Sequence, residues 1–166
     1  QWASARVGPQ VGDEAVVAAL ASLEDVDAGV DVLDRDEYRR SVEGEVDAML
    51  GRIQNDLFDV GADLATPVVE NPEYPPLRVL PEYVDRLEEL CDRYNEDLPA
   101  LRSFVLNGGT PGAALLHVAR TVVRRAERSA WAAYAEHGES MNVVALTYLN
   151  RLSDLLFILA RHANKE

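Results

Sequence analysis

Apolar residues recur at helical spacing along most of the chain. The longest series alternates steps of three and four residues: Val42, Val46, Met49, Ile53, Leu57, Val60 and Leu64. An α-helix turns once in about 3.6 residues, so these side chains form one stripe that can pack on a core. We therefore predict a long helix that begins at Asp36 and ends at Thr66-Pro67.

Four other stretches show the same period. The helices that they predict run from Asp13, from Pro81 to Pro99, from Thr110-Pro111 to about His137, and from Asn142 to Ala163. Proline in the first turn and a threonine N-cap are typical of helix starts. The side chains expected to pack inward are Val16, Val17, Leu20 and Leu23 in the first helix, Val84, Leu87, Cys91, Tyr94 and Leu98 in the third, Leu115, Val118, Val122, Ala126 and Ala133 in the fourth, and Tyr148, Leu152, Leu155, Leu156 and Leu159 in the fifth.

The connections between these helices differ in composition. Residues 1–12 predict a tail, 24–36 an acidic linker, and 67–80 a proline-rich crossover that cannot be helical. No stretch shows the alternation of a strand. The simplest architecture is one all-α domain over residues 1–166, an antiparallel, up-and-down bundle of five helices that assembles through helix faces.

Composition limits which binding partners and which cellular compartment we expect. The 166 residues carry a net charge of -13, which argues against nucleic acid and against an anionic membrane surface. Cys91 is the single cysteine, so an internal disulfide is excluded and a reducing compartment is indicated. We expect no stretch to reach the apolar length of a membrane span, and the N-terminus lacks a basic region followed by an apolar run. These features predict a cytoplasmic helical domain.

Four arginines of the fourth helix stand out against this acidic background. This arginine row consists of Arg120, Arg124, Arg125 and Arg128. Arg120, Arg124 and Arg128 share one face, with Glu127 and His117 expected in the same arc. Two guanidinium groups about 6 Å apart repel by roughly 2–3 kcal/mol at an effective dielectric constant near 20. Either carboxylates of neighbouring helices or a bound polyphosphate would offset that repulsion, and the residues alone leave both readings open.

A second polar group interrupts the fifth helix at Asn150, Arg151, Ser153 and Asp154. These side chains could pair with the arginine row within one chain or across a subunit interface. The three histidines lack metal-ligand spacing, and no phosphate-loop or dinucleotide motif is present. Gly108-Gly109 predicts a turn before the helix cap, and Phe104 before it is read as a core residue. The residues alone therefore indicate an anion-binding helical bundle.

Several motifs resemble those of the corrinoid (ATP:cob(I)alamin) adenosyltransferases of the propanediol-utilisation type. They are Arg52-Ile-Gln-Asn-Asp-Leu-Phe-Asp-Val-Gly-Ala-Asp-Leu-Ala-Thr-Pro67, Phe104-Val-Leu-Asn-Gly-Gly109, His117-Val-Ala-Arg-Thr-Val-Val-Arg-Arg-Ala-Glu-Arg128 and Tyr148-Leu-Asn-Arg-Leu-Ser-Asp-Leu-Leu-Phe157. The resemblance implies a trimer of five-helix bundles with active sites at subunit interfaces. It implies transfer of the 5′-deoxyadenosyl group of ATP to reduced cobalamin with Mg²⁺, the Co(I) centre attacking C5′ and triphosphate leaving. A cobalamin-dependent enzyme would receive the product.

The resemblance also implies roles for individual residues. The ATP site would contain Arg124, Arg125, Glu127, Arg128 and Asn150, with Arg124 as the main triphosphate contact. Arg120, Arg124 and Glu127 would form the catalytic set, Arg120 being supported by a carboxylate for which Asp13 is the candidate. Phe104 would pack beneath the corrin ring and help to expel its lower ligand. Asp154 would be structural or lie on the corrinoid side.

Two departures from the family pattern motivate an alternative. The family's N-terminal phosphate-wrapping loop has no counterpart in the sequence, and Asn107 stands where proline is usual. The alternative is a non-catalytic bundle that binds a corrinoid or nucleotide for storage, delivery or sensing. A third hypothesis is a structural trimer in which the arginines only pair with carboxylates.

Overall fold

A computed structural model describes residues 44–165, which contain helices and no strand. The helices are α1 (Gly44–Leu64), α2 (Pro81–Glu96), α3 (Pro111–His137) and α4 (Val143–His162), with a short 3₁₀ turn at Gly138–Ser140. The all-α class is thus confirmed for this part of the chain. The predicted helix from Asp13, the tail at 1–12 and the linker at 24–36 lie outside the described residues, as do the predicted start of the second helix at Asp36 and Val42 in its apolar stripe.

Capping groups explain where α3 and α4 begin. The Thr110 hydroxyl accepts a hydrogen bond from the Ala113 N–H (3.2 Å), and the Asn142 side chain accepts one from the Val144 N–H (3.1 Å). Both satisfy amides that the first helical turn leaves unpaired. The predicted bounds of these two helices are correct to within one residue. α2 ends earlier than predicted, and Leu98, expected inside that helix, lies beyond it and is only half-buried.

α4 is the central helix and packs against α1, α2 and α3. Its predicted inward residues are all buried: Tyr148, Leu152, Leu155, Leu156 and Leu159. By length and composition alone α4 could cross a membrane, so the expectation that no stretch reaches that length is wrong. The core position of the helix accounts for its apolar composition, because a buried core helix passes the same test.

The inward face of α3 differs from the predicted one. Val118 was expected to pack, yet it is 54% exposed, whereas His117 and Glu127 are buried. Five of the seven buried apolar residues of α3 are alanines: Ala113, Ala119, Ala126, Ala130 and Ala133, beside Leu116 and Val123. Alanines let α4 approach closely but contribute little to a hydrophobic pattern. The predicted face therefore followed the larger valines, of which Val118 is exposed. Met49 and Cys91, also expected inside, are half-buried.

Asp63 joins three separate segments of the chain. Its buried carboxylate accepts from Arg78 Nη1 (2.5 Å), the Val79 N–H (2.7 Å) and Asn142 Nδ2 (2.6 Å). The contacts fix the end of α1, the crossover at 67–80 and the start of α4. As predicted, the crossover contains no helix. Its last residues are positioned by this carboxylate, since a buried charge is tolerated only when paired and hydrogen-bonded.

Candidate functional site

The arginine row lies along the outer side of α3. Arg120 and Arg124 are half-buried, while Arg125 and Arg128 are exposed. Arg128 Nη1 donates to the Arg124 carbonyl oxygen (3.2 Å), as expected of residues one helical turn apart. Arg124 and Arg128 therefore share one face, as predicted.

A buried carboxylate connects this row to α4. Glu127 is 5% exposed; its Oε2 accepts from Arg124 Nη1 and its Oε1 accepts from Asn150 Nδ2 at 2.9 Å. The sequence left open whether the polar groups of the two helices meet within one chain, and Asn150 shows that they do. Asn150 binds the carboxylate rather than an arginine, in contrast to the pairing considered from the sequence.

This arrangement fixes the direction of the Arg124 guanidinium. One side of the fork is bound to Glu127, whose other oxygen is held by Asn150, while the Arg124 side chain remains 42% exposed. A planar guanidinium held in one orientation can bind two oxygens of a phosphate at once. The trio of Arg124, Glu127 and Asn150 therefore has the chemistry of an anion site.

Asp154 belongs to a different set of contacts. It accepts from Arg151 Nη1 (2.8 Å), and Arg151 Nε donates to Glu88 on α2 (2.9 Å). The hydrogen bond to Glu88 is the main reason that the pKa of Arg151 is raised, and Asp154 adds to it. Ser153 donates to the Asn150 carbonyl (2.8 Å). The structure thus places Asp154 in an ion pair with Arg151 within α4, and it is Arg151 that joins α4 to α2 through Glu88.

Arg120 points towards the loop before α3 rather than towards Glu127. Its Nη2 donates to Asn107 Oδ1 (3.2 Å), and its guanidinium carbon lies 5.8 Å from the centre of the Phe157 ring. Within residues 44–165, the buried Arg120 Nε and both ring nitrogens of His117 find no hydrogen-bond partner. Burial lowers the pKa of His117, and Arg120 lowers it further. Asp13, the predicted partner of Arg120, lies outside the described residues.

The loop over residues 97–110, called here the Phe104 loop, presents apolar side chains to solvent. Phe104 is fully exposed and Leu106 nearly so. The reading of Phe104 as a core residue is therefore wrong. An exposed aromatic ring in a loop is a candidate contact for a flat apolar ligand or another chain.

Three residues contact the base of this loop in ways that the sequence pattern does not indicate: Phe157, Arg161 and Asn164. Phe157 fits the apolar pattern of α4, and nothing in the spacing separates it from a core residue. In the described part of the chain, no three His, Cys, Asp or Glu side chains lie close enough together to hold a metal ion.

Comparison with known proteins points to a single family. The profile of the cobalamin adenosyltransferase family matches residues 11–163. The corrinoid adenosyltransferase of Mycobacterium tuberculosis strain H37Rv is 66% identical over 122 residues, which is 74% of this chain and 63% of the relative. The cobalamin adenosyltransferase of Cupriavidus metallidurans is 38% identical over 164 residues, covering 95% of this chain and 80% of the relative. The chain thus spans a little under two thirds of the mycobacterial relative's length.

The similar solved structures are also adenosyltransferases by name. A phenylalanine-to-alanine variant of the PduO-type ATP:corrinoid adenosyltransferase from Lactobacillus reuteri, complexed with cobalamin and ATP, superimposes with a TM-score of 0.79 at 34% identity. The match covers 92% of this chain and 81% of that one. An arginine-to-lysine variant of the same enzyme, complexed with ATP, also has a TM-score of 0.79, at 35% identity. From motifs, fold and similarity together, the chain belongs to the cobalamin adenosyltransferase family.

Proposed function

We propose that this chain transfers the 5′-deoxyadenosyl group of ATP to reduced cobalamin, releasing triphosphate. The observation that carries the proposal is the buried Glu127, which holds the Arg124 guanidinium through a carboxylate that Asn150 fixes in turn. An enzyme that expels triphosphate needs cationic groups oriented in advance, because such groups stabilise the charge that develops on the leaving group. The similar Lactobacillus reuteri enzyme was solved with both ATP and cobalamin.

In this proposal Arg124 is the main triphosphate contact, and Arg125 and Arg128 extend the positive surface along α3. Glu127 and Asn150 orient the fork of Arg124 and line the nucleotide site. Mg²⁺ would enter with the triphosphate and neutralise part of its charge, since this ion usually keeps waters and binds phosphate oxygens with one or two carboxylates. Accordingly, the proposal requires no preformed metal site among the described residues.

The corrinoid is proposed to lie against Phe104. Its ring is fully exposed, so a flat apolar ligand face would cover it. Phe104 then excludes the lower ligand of the corrin, which makes the cobalt easier to reduce. Asp154 is proposed for the corrinoid side and Asp13 as the carboxylate that supports Arg120.

The assembly is also a proposal. We infer an antiparallel bundle of five helices, the first formed from Asp13, that trimerises in the cytoplasm and passes its product to a cobalamin-dependent enzyme. Exposed large apolar side chains of the described residues support subunit contacts: Phe58, Leu106, Val118 and Trp131. If a neighbouring subunit completes the site, that subunit would also cover the Phe104 loop.

The direct test is to incubate the chain with ATP, Mg²⁺ and chemically reduced cobalamin. The expected result is the absorption spectrum of a cobalt–carbon bond together with one triphosphate per product. Arg124→Lys keeps the charge but loses the fork, so we expect much slower turnover from an equally stable protein. A folded parent chain that forms no product would refute catalysis. Cobalamin affinity without ATP affinity, measured by calorimetry, would then favour the binding-module alternative.

A further inference from the structure

Both ends of the Phe104 loop are held by side chains that meet on one aromatic ring. Near the beginning of the loop, Arg161 Nη2 donates to the Pro99 carbonyl (2.5 Å). Near the end, Arg120 Nη2 donates to Asn107 Oδ1 (3.2 Å). The two guanidinium carbons lie 5.9 Å and 5.8 Å from the centre of the Phe157 ring. Phe157 is thus the common support of the two tethers.

The ring is well suited to that role. The negative face of an aromatic ring attracts a guanidinium group, so a ring near two arginines can help to hold both in place. His117 packs on the same ring, with centroids 6.2 Å apart. Its lowered pKa favours the neutral form, so no further cation is added beside Arg120. Phe157 thus contacts both arginines and His117.

A separate set of contacts fixes the final residues of the loop. Asn164 Oδ1 accepts from the Thr110 N–H and Asn164 Nδ2 donates to the Gly108 carbonyl, both at 2.9 Å. The tip from Phe104 to Leu106 is exposed. The loop therefore has a fixed base and a solvent-facing tip, a geometry that presents Phe104 in a defined place.

We propose that Phe157 is a positioning residue: through Arg120 and Arg161 it holds the Phe104 loop where the corrinoid binds. The proposal rests on the proposed function for the identity of the ligand, while the tethering itself rests on the contacts above. In this proposal Phe157 does not touch the ligand and affects its binding only through the two arginines. Because the tethers lie on the corrinoid side, loss of the ring weakens corrinoid binding more than ATP binding.

The test compares Phe157→Leu with Phe157→Tyr, which keeps the ring, and with Ile158→Val, a neighbouring half-buried residue of α4. Arg102 is exposed in the loop, so the rate of trypsin cleavage after it, followed by mass spectrometry, reports how firmly the loop is held. We expect Phe157→Leu to accelerate this cleavage several-fold and to raise the KM for the corrinoid about tenfold, with the KM for ATP changed by less than about twofold. Phe157→Tyr and Ile158→Val should behave like the parent.

Asn107→Ala removes the hydrogen bond from Arg120 and should also accelerate cleavage after Arg102. Asn107 is exposed, so this substitution does not disturb the core. Unchanged cleavage in both Phe157→Leu and Asn107→Ala would overturn the proposal. Equal increases in the two KM values would overturn it as well, because they would indicate a general structural defect. If the parent chain makes no product, the proposed function fails, and the cleavage rates still decide whether Phe157 holds the loop.

Discussion

At the residue scale, Glu127 controls the direction in which Arg124 points. Removing its charge makes the site more positive, so electrostatics alone would strengthen ATP binding. Loss of the carboxylate also frees the guanidinium from its fixed orientation and weakens the bond from Asn150. We expect orientation to prevail, because a bidentate contact depends on the fork being held in place.

Glu127→Gln should therefore bind ATP about tenfold more weakly, as measured by calorimetry. Glu136→Gln removes the same charge from an exposed position of α3 and should leave ATP affinity unchanged. Equal or tighter ATP binding by Glu127→Gln would show that the carboxylate does not orient Arg124.

His117 makes stability depend on pH near neutrality. Burial, with Arg120, lowers the pKa of its ring in the folded protein, whereas the unfolded chain takes up the proton at the ordinary value near 6.5. The unfolded state therefore binds more protons in this range, and the free energy of unfolding falls as pH drops from 7 through 6.5 towards the folded pKa. Above pH 7 the effect vanishes, because the ring is neutral in both states.

We expect the fall in the free energy of unfolding between pH 7 and about pH 5.5 to be shallower in His117→Gln, by urea titration at each pH. This window lies above the range in which most carboxylates titrate. If His117→Gln keeps the parent's pH dependence, groups other than His117 cause the loss of stability in acid.

At the element scale, the connection into α3 depends on a close approach between Gly109 and Asn164. Gly109 has φ +115°, a conformation that side chains rarely adopt, and a Cβ there would lie 2.0 Å from Asn164 Oδ1. Gly108 has open space at the same position. The second glycine, and not the first, lets Asn164 bind the start of α3.

Gly109→Ala should lower the free energy of unfolding by about 1–3 kcal/mol, because it adds backbone strain and displaces Asn164. Gly108→Ala is the matched control and should change it by less than about 1 kcal/mol. Urea unfolding of both variants would check this, and equal values would contradict the assigned geometry.

At the scale of the whole molecule, the proposed association of subunits would cover exposed apolar side chains of the described residues. If the chain trimerises, light scattering should give three times the 18.3 kDa chain mass, and the unfolding temperature should rise with protein concentration. A single-chain mass at micromolar concentration, with full adenosyl transfer, would show that the site is complete within one chain.

Much of the fold could be predicted because it depends on local chemistry. Pro81, Thr110 and Asn142 mark helix starts through caps and turn geometry, and the apolar period of α4 identifies its buried face. The arginine row also follows from spacing alone, since residues one turn apart must share a face. The sequence by itself therefore determined the helices of the described residues, the candidate anion site and the motifs of the family.

Contacts between distant parts of the chain required the tertiary structure. α3 packs through alanines that give a weak pattern, so its inward face and the burial of His117 were decided by the fit against α4. The hydrogen bond between Glu127 and Asn150 and the contact of Arg120 with Phe157 also join residues far apart in sequence. The exposure of Phe104 likewise depends on the packing around its loop. Periodicity specifies which side chains share a helix face, but only packing decides what each face meets.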